Sequence, residues 1–452
     1  MKNNMTNDMT KGNPVKLILL FSIPLLIGNI FQQFYSMVDT IIVGRFVGVD
    51  ALAAVGSTGS MVFLVNGFAT GLTSGFAVLV SQRFGAKDEK GLRKAVASAI
   101  TLTVISVIIV TLVSLLGAKP LLKLMNTPEN IMADANTYIK IIYGGVIATV
   151  AYNLIASILR ALGDSKTPLY FLIISSVLNV ILDLVFIINF KMGVAGAAYA
   201  TIISQGVSAI LCLIYTYKKF TILRLKKEDF NVKRRYYHKH LKIGIPMALQ
   251  FSITAIGIMT VQGALNVFGS TVIASYTAAS KALQLVMQPA ITFGVTMATY
   301  CGQNLGAKEY GRIKQGVKEC TKISIITSII AGAVLIFLGK YFVMLFISNP
   351  DAEILKYAQQ VLSISAIFFI PLGLIFIYRN ALQGIGDSFV PMMAGAYELI
   401  ARAAVAFTLP KHFDFIGICL ADPVAWLAAA IPLGITYFKR IKSLLKHGDI
   451  KV

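Results

Sequence analysis

Long apolar windows follow one another along most of the chain, separated by short polar loops. A hydrocarbon layer about 30 Å thick is crossed by roughly 20 apolar residues in an α-helix, and each window reaches that length. The windows lie at residues 17–43, 52–80, 95–117, 136–158, 169–189, 193–216, 243–268, 273–299, 319–339, 357–378, 390–409 and 415–437. The pattern predicts an all-α integral membrane protein with twelve transmembrane helices.

The two halves of the chain resemble one another in three short segments that occur in the same order. The matched segments are residues 21–24 with 243–246, 84–88 with 305–309, and 162–168 with 385–391. Because six windows separate the members of each pair, the halves share one orientation and are related by an axis along the membrane normal. We therefore predict two pseudo-symmetric six-helix lobes around a central cavity: an N-lobe at 1–216, a cytoplasmic basic linker at 217–242 and a C-lobe at 243–452.

Composition supports a membrane protein, and the positions of the basic residues explain the large positive charge. The chain has 452 residues, of which 56% are hydrophobic and 13% charged, and its mean hydropathy is +0.75. Soluble proteins carry about 25% charged residues. The formal net charge of +21 would suggest a nucleic-acid partner in a soluble chain, but here the basic residues lie in short loops. They concentrate at 83–94, 160–166, 217–242, 308–318 and the C-terminal tail, which places both termini in the cytoplasm of a multi-pass cell-membrane protein.

Several other classes of site and surface are disfavoured. The linker 217–242 could bind lipid headgroups or nucleic acid, but its length suits a solvated connector between two halves. The four cysteines form no CxxC pair, and the four histidines lie in loops or the tail, without an HExxH motif or a Walker loop. We expect no cofactor, no structural metal and no nucleic-acid partner.

A few polar side chains lie inside apolar windows, where an unpaired charge is costly and therefore indicates function. Asp39 lies in the first window, with Tyr35 four residues earlier on the same helix face. Asn179 and Asp183 have the same spacing in the fifth window. These groups could instead hold helices together by hydrogen bonds.

Neighbouring windows add Tyr138, Asn153 and Thr201 to the polar set. Two carboxyl groups among hydroxyl and amide oxygens suit a hard cation such as Na⁺, since hard cations favour oxygen ligands. The same pair could bind a proton, because burial favours the neutral form of a carboxylic acid. Either cation would bias which way the lobes face.

The second half differs from the first. Its windows 243–268 and 357–378 contain no Asp or Glu. Polar candidates for a C-lobe cavity are Lys281, Gln284, Gln288, Glu398 and Arg402, with Arg379 and Asn380 nearby in sequence. A buried Lys281–Glu398 or Arg402–Glu398 pair is one interpretation and a substrate contact is the other; neither assigns a cation to these residues.

Together, these motifs resemble the MATE (multidrug and toxic compound extrusion) transporters over nearly the whole chain. The resemblance is carried by Pro24, the run Asp39–Gly44, the run Gln82–Lys87, and the paired loops Gly163-Asp164-Ser165 and Gly386-Asp387-Ser388. Each Gly-Asp-Ser loop is in itself typical of a turn. Pro24 and Pro246 could be moving kinks or static bends.

The resemblance implies a fold, an activity and a site. The family has two six-helix lobes around a membrane cavity and exports mostly cationic organic compounds, as a monomer, driven by inward Na⁺ or H⁺. In its DinF-like branch, the cation site is formed by residues at the positions of Asp39, Asn179, Asp183 and Thr201 in this chain, with Tyr35, Tyr138 and Asn153 in the surrounding hydrogen-bond network. The NorM-like branch also uses C-lobe carboxylates, and the missing acids of 243–268 and 357–378 put such a site in doubt.

We therefore expect a secondary antiporter of small organic cations in a lipid bilayer, not an enzyme. The alternative within transport is a lipid-linked oligosaccharide flippase of the wider superfamily, for which a more basic cavity is typical. The alternative from another class is an integral membrane transferase, which would need clustered carboxylates for metal–diphosphate or a His-containing motif. A passive channel is disfavoured because no filter motif is repeated.

Overall fold

The computed structural model describes residues 7–347 and 351–449, and every regular element in those ranges is helical. The helices of the first half are α1 (Pro14–Phe46), α2 (Val49–Gly85), α3 (Glu89–Leu124), α4 (Glu129–Gly144), α5 (Val146–Ala161), α6 (Lys166–Leu184) and α7 (Gly193–Lys219). Those of the second half are α8 (Arg234–Leu265), α9 (Ser270–Val286), α10 (Gln288–Gly306), α11 (Tyr310–Met344), α12 (Ala352–Ile367), α13 (Phe369–Gly384), α14 (Phe389–Thr408), α15 (Pro410–Cys419) and α16 (Ala421–Asp449).

The predicted windows agree with the helices, except where a span is broken. By length and hydropathy, nine helices of the described ranges could cross a membrane, or eleven when two bent pairs each count as one span. The bent pairs are α4 with α5, at 44°, and α12 with α13, at 55°, and they cover the windows 136–158 and 357–378. The window 273–299 is divided between α9 and α10, because Pro289 starts a new helix at α10. The predicted window 415–437 begins too early, because α16 begins at Ala421, after the short α15.

The loops before α3 and α6 show why these helices begin where they do. Asp88 caps α3 by accepting the Gly91 N–H at 2.8 Å. Asp164 accepts the N–H groups of Lys166 and Thr167 at 2.9 and 3.0 Å, which satisfies two of the free donors at the start of α6. The turn predicted for this Gly-Asp-Ser loop is therefore confirmed.

A stripe of exposed apolar side chains on α3 indicates a lipid-facing surface. The stripe consists of Val104, Ile105, Ile108, Ile109, Leu112, Val113 and Leu116, and each of them is at least half exposed. Their spacing keeps them on one helix face. An apolar face of this length is stable only against an apolar surrounding, which a bilayer provides.

The described chain divides into two compact units. The first comprises the described residues up to Asp8 together with Ile23–Ser252, and the second comprises Met9–Ser22 together with the residues from Ile253 onward. The start of α1 thus belongs to the second unit, whereas the start of α8 belongs to the first.

Within the second unit, the segment before α1 is held by side chains of α10 and α11. The side chain of Met9 is fully buried, and its N–H donates to Gln303 Oε1 at 2.9 Å. Arg312 Nη2 donates to the Met9 carbonyl at 3.2 Å, and Arg312 Nη1 donates to the Gly12 carbonyl at 3.0 Å. These bonds anchor the chain before it enters α1.

Within the first unit, α2 approaches the start of α8 at backbone distance. A Cβ placed at Gly71 would lie 2.6 Å from the Met247 carbonyl oxygen, and one placed at Gly75 would lie 2.6 Å from the Gly244 Cα. Glycines spaced four residues apart allow membrane helices to pack this closely. The contact depends on the absence of a side chain at Gly71 and Gly75.

Gly75→Ala is therefore expected to destabilise the protein, although alanine is favoured over glycine in a helix by about 1 kcal/mol. The new methyl group would push α8 away from α2, and the melting temperature of purified protein should fall. Gly56→Ala in the same helix is the matched control, because a Cβ at Gly56 meets no atom within 4 Å. Equal melting temperatures for the two variants would contradict the close contact.

Candidate functional site

The polar residues of the first half come together on four helices of the first unit. Tyr35 and Asp39 lie on α1 and Tyr138 on α4, while Asn179 and Asp183 lie on α6 and Thr201 on α7. Asn179 and Asp183 are fully buried. Directly after Asp183 the helix changes to a π-helical turn at Val185–Asn189. Such turns occur frequently at functional sites.

The carboxyl groups of Asp39 on α1 and Asp183 on α6 lie within hydrogen-bonding reach of one another. A hydrogen bond between two carboxyl groups needs a proton, since two bare carboxylates offer only acceptors. In an apolar environment, two unshielded negative charges on adjacent side chains would repel one another strongly. The pair therefore requires one proton or one bound cation.

Asn179 holds the Asp183 side chain in position. With its amide nitrogen directed towards the acceptors, Asn179 donates to Asp183 Oδ2 at 2.9 Å and to the Tyr35 hydroxyl oxygen at 3.2 Å. Its amide oxygen then accepts the Thr201 N–H at 3.0 Å. This orientation satisfies both ends of a fully buried amide, as a buried polar group requires.

Two tyrosines lie beside the carboxyl pair. The Tyr35 hydroxyl lies within hydrogen-bonding reach of the Thr201 side chain. Tyr138 is buried and lies close enough to interact electrostatically with both Asp39 and Asp183. Electrostatic interactions between partly or fully buried groups are stronger than in water, because the local dielectric constant is lower.

Asn153 has a different hydrogen-bond partner. Its amide nitrogen donates to Thr70 Oγ1 at 3.2 Å, between α5 and α2. The structure thus brings Tyr35, Tyr138, Asp39, Asn179, Asp183 and Thr201 together, and it places Asn153 in a separate helix contact.

One oxygen of each carboxyl group has no hydrogen-bond partner in the described part of the chain: Asp39 Oδ1 and Asp183 Oδ1. Buried polar atoms are usually paired, so an unpaired buried oxygen indicates a ligand or a function. Together with the Thr201 and Tyr35 hydroxyl oxygens, these atoms form an oxygen-rich donor set that fits Na⁺ or a proton. No group of three His, Cys, Asp or Glu side chains that could hold a metal ion occurs in the described ranges.

Asn179→Ala is expected to weaken cation binding at this pair, because it removes the donors that orient Asp183. A hydrogen bond to a charged group contributes about 1.5–3 kcal/mol, so the Na⁺ or proton concentration that half-saturates the pair should rise roughly tenfold or more. Asn153→Ala is the matched control, since its amide contacts Thr70 instead. The same rise in both variants would contradict a specific role for Asn179.

The charged residues of the second half form a separate, buried cluster in the second unit. Arg379 Nη2 donates to Glu398 Oε1, and Arg402 Nη2 lies 4.0 Å from Glu398 Oε2. Arg402 Nε donates to Asp422 Oδ1 at 2.7 Å, and the Tyr276 hydroxyl donates to Asp422 Oδ2 at 3.2 Å. Two guanidinium groups thus neutralise two carboxylates.

The sequence interpretation of this cluster was right in part. The Arg402–Glu398 pair is present, but Lys281 forms no ion pair with Glu398 in the described ranges; its Nζ lies 5.8 Å from the ring centroid of Phe346. Gln288 donates to the Gln284 carbonyl within the helical region, not to the cluster. Asp422 and Tyr276 were missed. Asp422 could have been found by the criterion that selected Asp39, since it too is an acid inside an apolar window.

A comparison with known families decides the class of the protein. The MatE family model matches residues 24–185 and 243–408, which is most of the chain and both halves of the repeat. The chain belongs to the MATE family. The family and the two-lobed, all-α membrane fold predicted from the sequence are thereby confirmed.

Relatives and solved structures of the MATE family extend over almost the whole chain. Probable multidrug resistance protein YpnP of Bacillus subtilis is 33% identical over 84% of this chain and 84% of its own length. Probable multidrug resistance protein YoeA of the same species is 28% identical over 94% of each chain. The crystal structure of a MATE protein in complex with MaL6 superimposes with a TM-score of 0.91 at 22% identity, covering 97% of this chain and 99% of that one. MATE proteins are multi-pass membrane transporters and not enzymes, as predicted.

Proposed function

We propose that this MATE protein exports small organic cations by antiport against Na⁺ or H⁺, and that the Asp39–Asp183 pair is the coupling site. The observation that carries the proposal is the close approach of these two carboxyl groups, which come from α1 and α6. The multidrug resistance names of the bacterial relatives support small organic molecules as substrates.

Coupling follows from the charge of the pair. When a cation or a proton is bound, α1 and α6 are held together through Asp39 and Asp183. When it leaves, the two carboxylates repel one another, and a conformation that separates or hydrates them becomes favoured. Reversing a two-state equilibrium from 1:99 to 99:1 requires about 5.5 kcal/mol. Repulsion between two carboxylates in a largely buried site is of sufficient size to supply a large part of this energy.

The same charges favour a cationic substrate. Asp39 and Asp183 are the acidic residues of the site, and within the described ranges no basic side chain of the site neutralises them. The acids of the second-unit cluster, in contrast, are neutralised by Arg379 and Arg402. A substrate cation and a coupling cation therefore compete for one pair of negative charges. Competition of this kind is what an antiporter requires.

Efflux of a fluorescent organic cation from cells tests the proposal. The parent protein should expel the dye, and its rate should fall either when Na⁺ is replaced or when the proton gradient is collapsed, which identifies the coupling ion. Asp134→Asn, at an exposed position on α4, is the matched control for substitutions at the pair. A dye-efflux rate that changes neither when Na⁺ is replaced nor when the proton gradient is collapsed would contradict antiport.

We also propose that the termini and the linker 217–242 face the cytoplasm of the cell membrane, because basic residues concentrate there. The four native cysteines are buried, so a cysteine introduced at the linker residue Glu228 would be labelled selectively. It should react with an impermeant thiol reagent only after the cells are opened. Labelling of intact cells would reverse the orientation.

A further inference from the structure

The second-unit cluster has the composition of a cation site that already contains its cation. The guanidinium group of Arg402 lies between two carboxylates, 2.7 Å from Asp422 Oδ1 and 4.0 Å from Glu398 Oε2. The Tyr276 hydroxyl completes the set through Asp422 Oδ2. The first-unit site has the same parts: two carboxyl groups from different helices and a tyrosine hydroxyl.

The internal repeat places Arg402 at the position of a first-unit site residue. Gly163 and Gly386, which open the matched loops before α6 and α14, are 223 residues apart. Asn179 and Arg402 have the same separation. On α6 this position carries the amide that holds Asp183, and on α14 it carries a permanent positive charge.

We propose that Arg402 is a tethered cation that occupies a second two-carboxylate site, formed by Glu398 and Asp422, and thereby confines cation exchange to the Asp39–Asp183 pair. This inference rests on the proposed coupling role of that pair. Without Arg402, the second site would take a monovalent cation, Na⁺ or H⁺.

The surroundings of Arg402 explain why it stays in place. Arginine keeps its charge in proteins, so the site cannot be emptied by loss of a proton. The Arg402 side chain is only 6% exposed, and its Nη1 atom, which has no partner in the described ranges, lies against α8 where a side chain at Gly257 would overlap it. The absence of a side chain at Gly257 leaves room for the guanidinium group.

The charge balance predicts what removal of Arg402 would do. With Arg402 present, two guanidinium groups face two carboxylates; with a neutral residue there, only Arg379 remains, and one negative charge is uncompensated. An uncompensated charge inside a membrane protein is costly and is relieved by binding a cation. The Asp422 side chain is 30% exposed, so it is not closed off from a small cation.

The test uses the full-length protein with the first site removed by the double substitution Asp39→Asn/Asp183→Asn. Its melting temperature is measured as Na⁺ is exchanged for a large organic cation and, separately, as pH is varied. This double variant is expected to show no response to either. Adding Arg402→Gln should restore a stabilisation of several degrees by Na⁺ or by acid, and adding Asp422→Asn to that variant should remove it. Arg402→Lys, which keeps the charge, should behave as the double variant does.

Two results would overturn the tethered cation. One is a cooperative unfolding transition of the Arg402→Gln variant that ignores both Na⁺ and pH, which would make the cluster a structural ion pair. The other is a response of the double variant itself, with Arg402 present, to Na⁺ or pH. If adding Asp422→Asn to the double variant abolishes that response, the second site is open in the parent protein. If the double variant responds to Na⁺ or pH and Asp422→Asn leaves that response intact, the proposed coupling pair is contradicted. The additional stabilisation by Na⁺ or acid that Arg402→Gln causes would still decide the role of Arg402.

Discussion

Asp39→Asn and Asp183→Asn are each expected to abolish ion-driven efflux. Asparagine has nearly the shape of aspartate but can neither release a proton nor neutralise a cation, so the pair loses the charge that changes during transport. Since a tenfold change corresponds to about 1.4 kcal/mol, the loss of a coupling energy of several kcal/mol should lower the rate at least about tenfold. Efflux rates at equal protein amounts in the membrane are the measurement.

The double variant should be no worse than either single one. Residues that act as a unit show strongly non-additive effects, because the first substitution already removes the function that they share. Asp134→Asn on α4 should retain the parent rate, since this exposed acid lies outside the site. Additive losses from Asp39 and Asp183 would indicate that they act separately.

The second large effect is expected on stability. Glu398→Gln leaves the two buried guanidinium groups of Arg379 and Arg402 with a single carboxylate, Asp422, which contacts only Arg402. Removing one partner of a buried ion pair typically costs about 3–5 kcal/mol, because the other charge remains buried without compensation. The melting temperature of the purified variant should fall sharply.

Two further variants show whether charge is the cause. Glu353→Gln, at an exposed position on α12, should leave the melting temperature unchanged. Removing both members of the closest pair, as in Arg379→Met/Glu398→Leu, should restore much of the stability, since paired buried charges can be replaced by apolar residues at little cost. If the double variant is as unstable as Glu398→Gln, lost packing and not uncompensated charge is responsible.

Most of the fold could be predicted because membrane helices leave a strong signal in the sequence. Apolar windows of spanning length located nearly every helix, and the repeated loops indicated two halves. Breaks within spans were missed at Gly145, Met287 and Phe368, because hydropathy does not register a change of direction. The assignment of Met9–Ser22 to the second unit was also missed, since it depends on long-range bonds to Gln303 and Arg312.

The candidate site was predictable to the extent that buried charge is rare in membranes. Asp39 and Asp183 stand out in apolar windows, and helical spacing adds Tyr35 and Asn179 to them. Which residues contact one another across helices does not follow from spacing. The hydrogen bond from Asn153 to Thr70, for example, has no signal in the sequence.

The most direct test of the coupling claim is ion-driven transport by purified protein in liposomes. An imposed gradient of Na⁺, or of pH, should drive accumulation of a fluorescent organic cation by the parent protein, and reversing that gradient should reverse the flux. Asp39→Asn/Asp183→Asn should allow neither movement, although it is correctly inserted and folded. Undiminished gradient-driven accumulation by this variant would contradict the assignment of coupling to the Asp39–Asp183 pair.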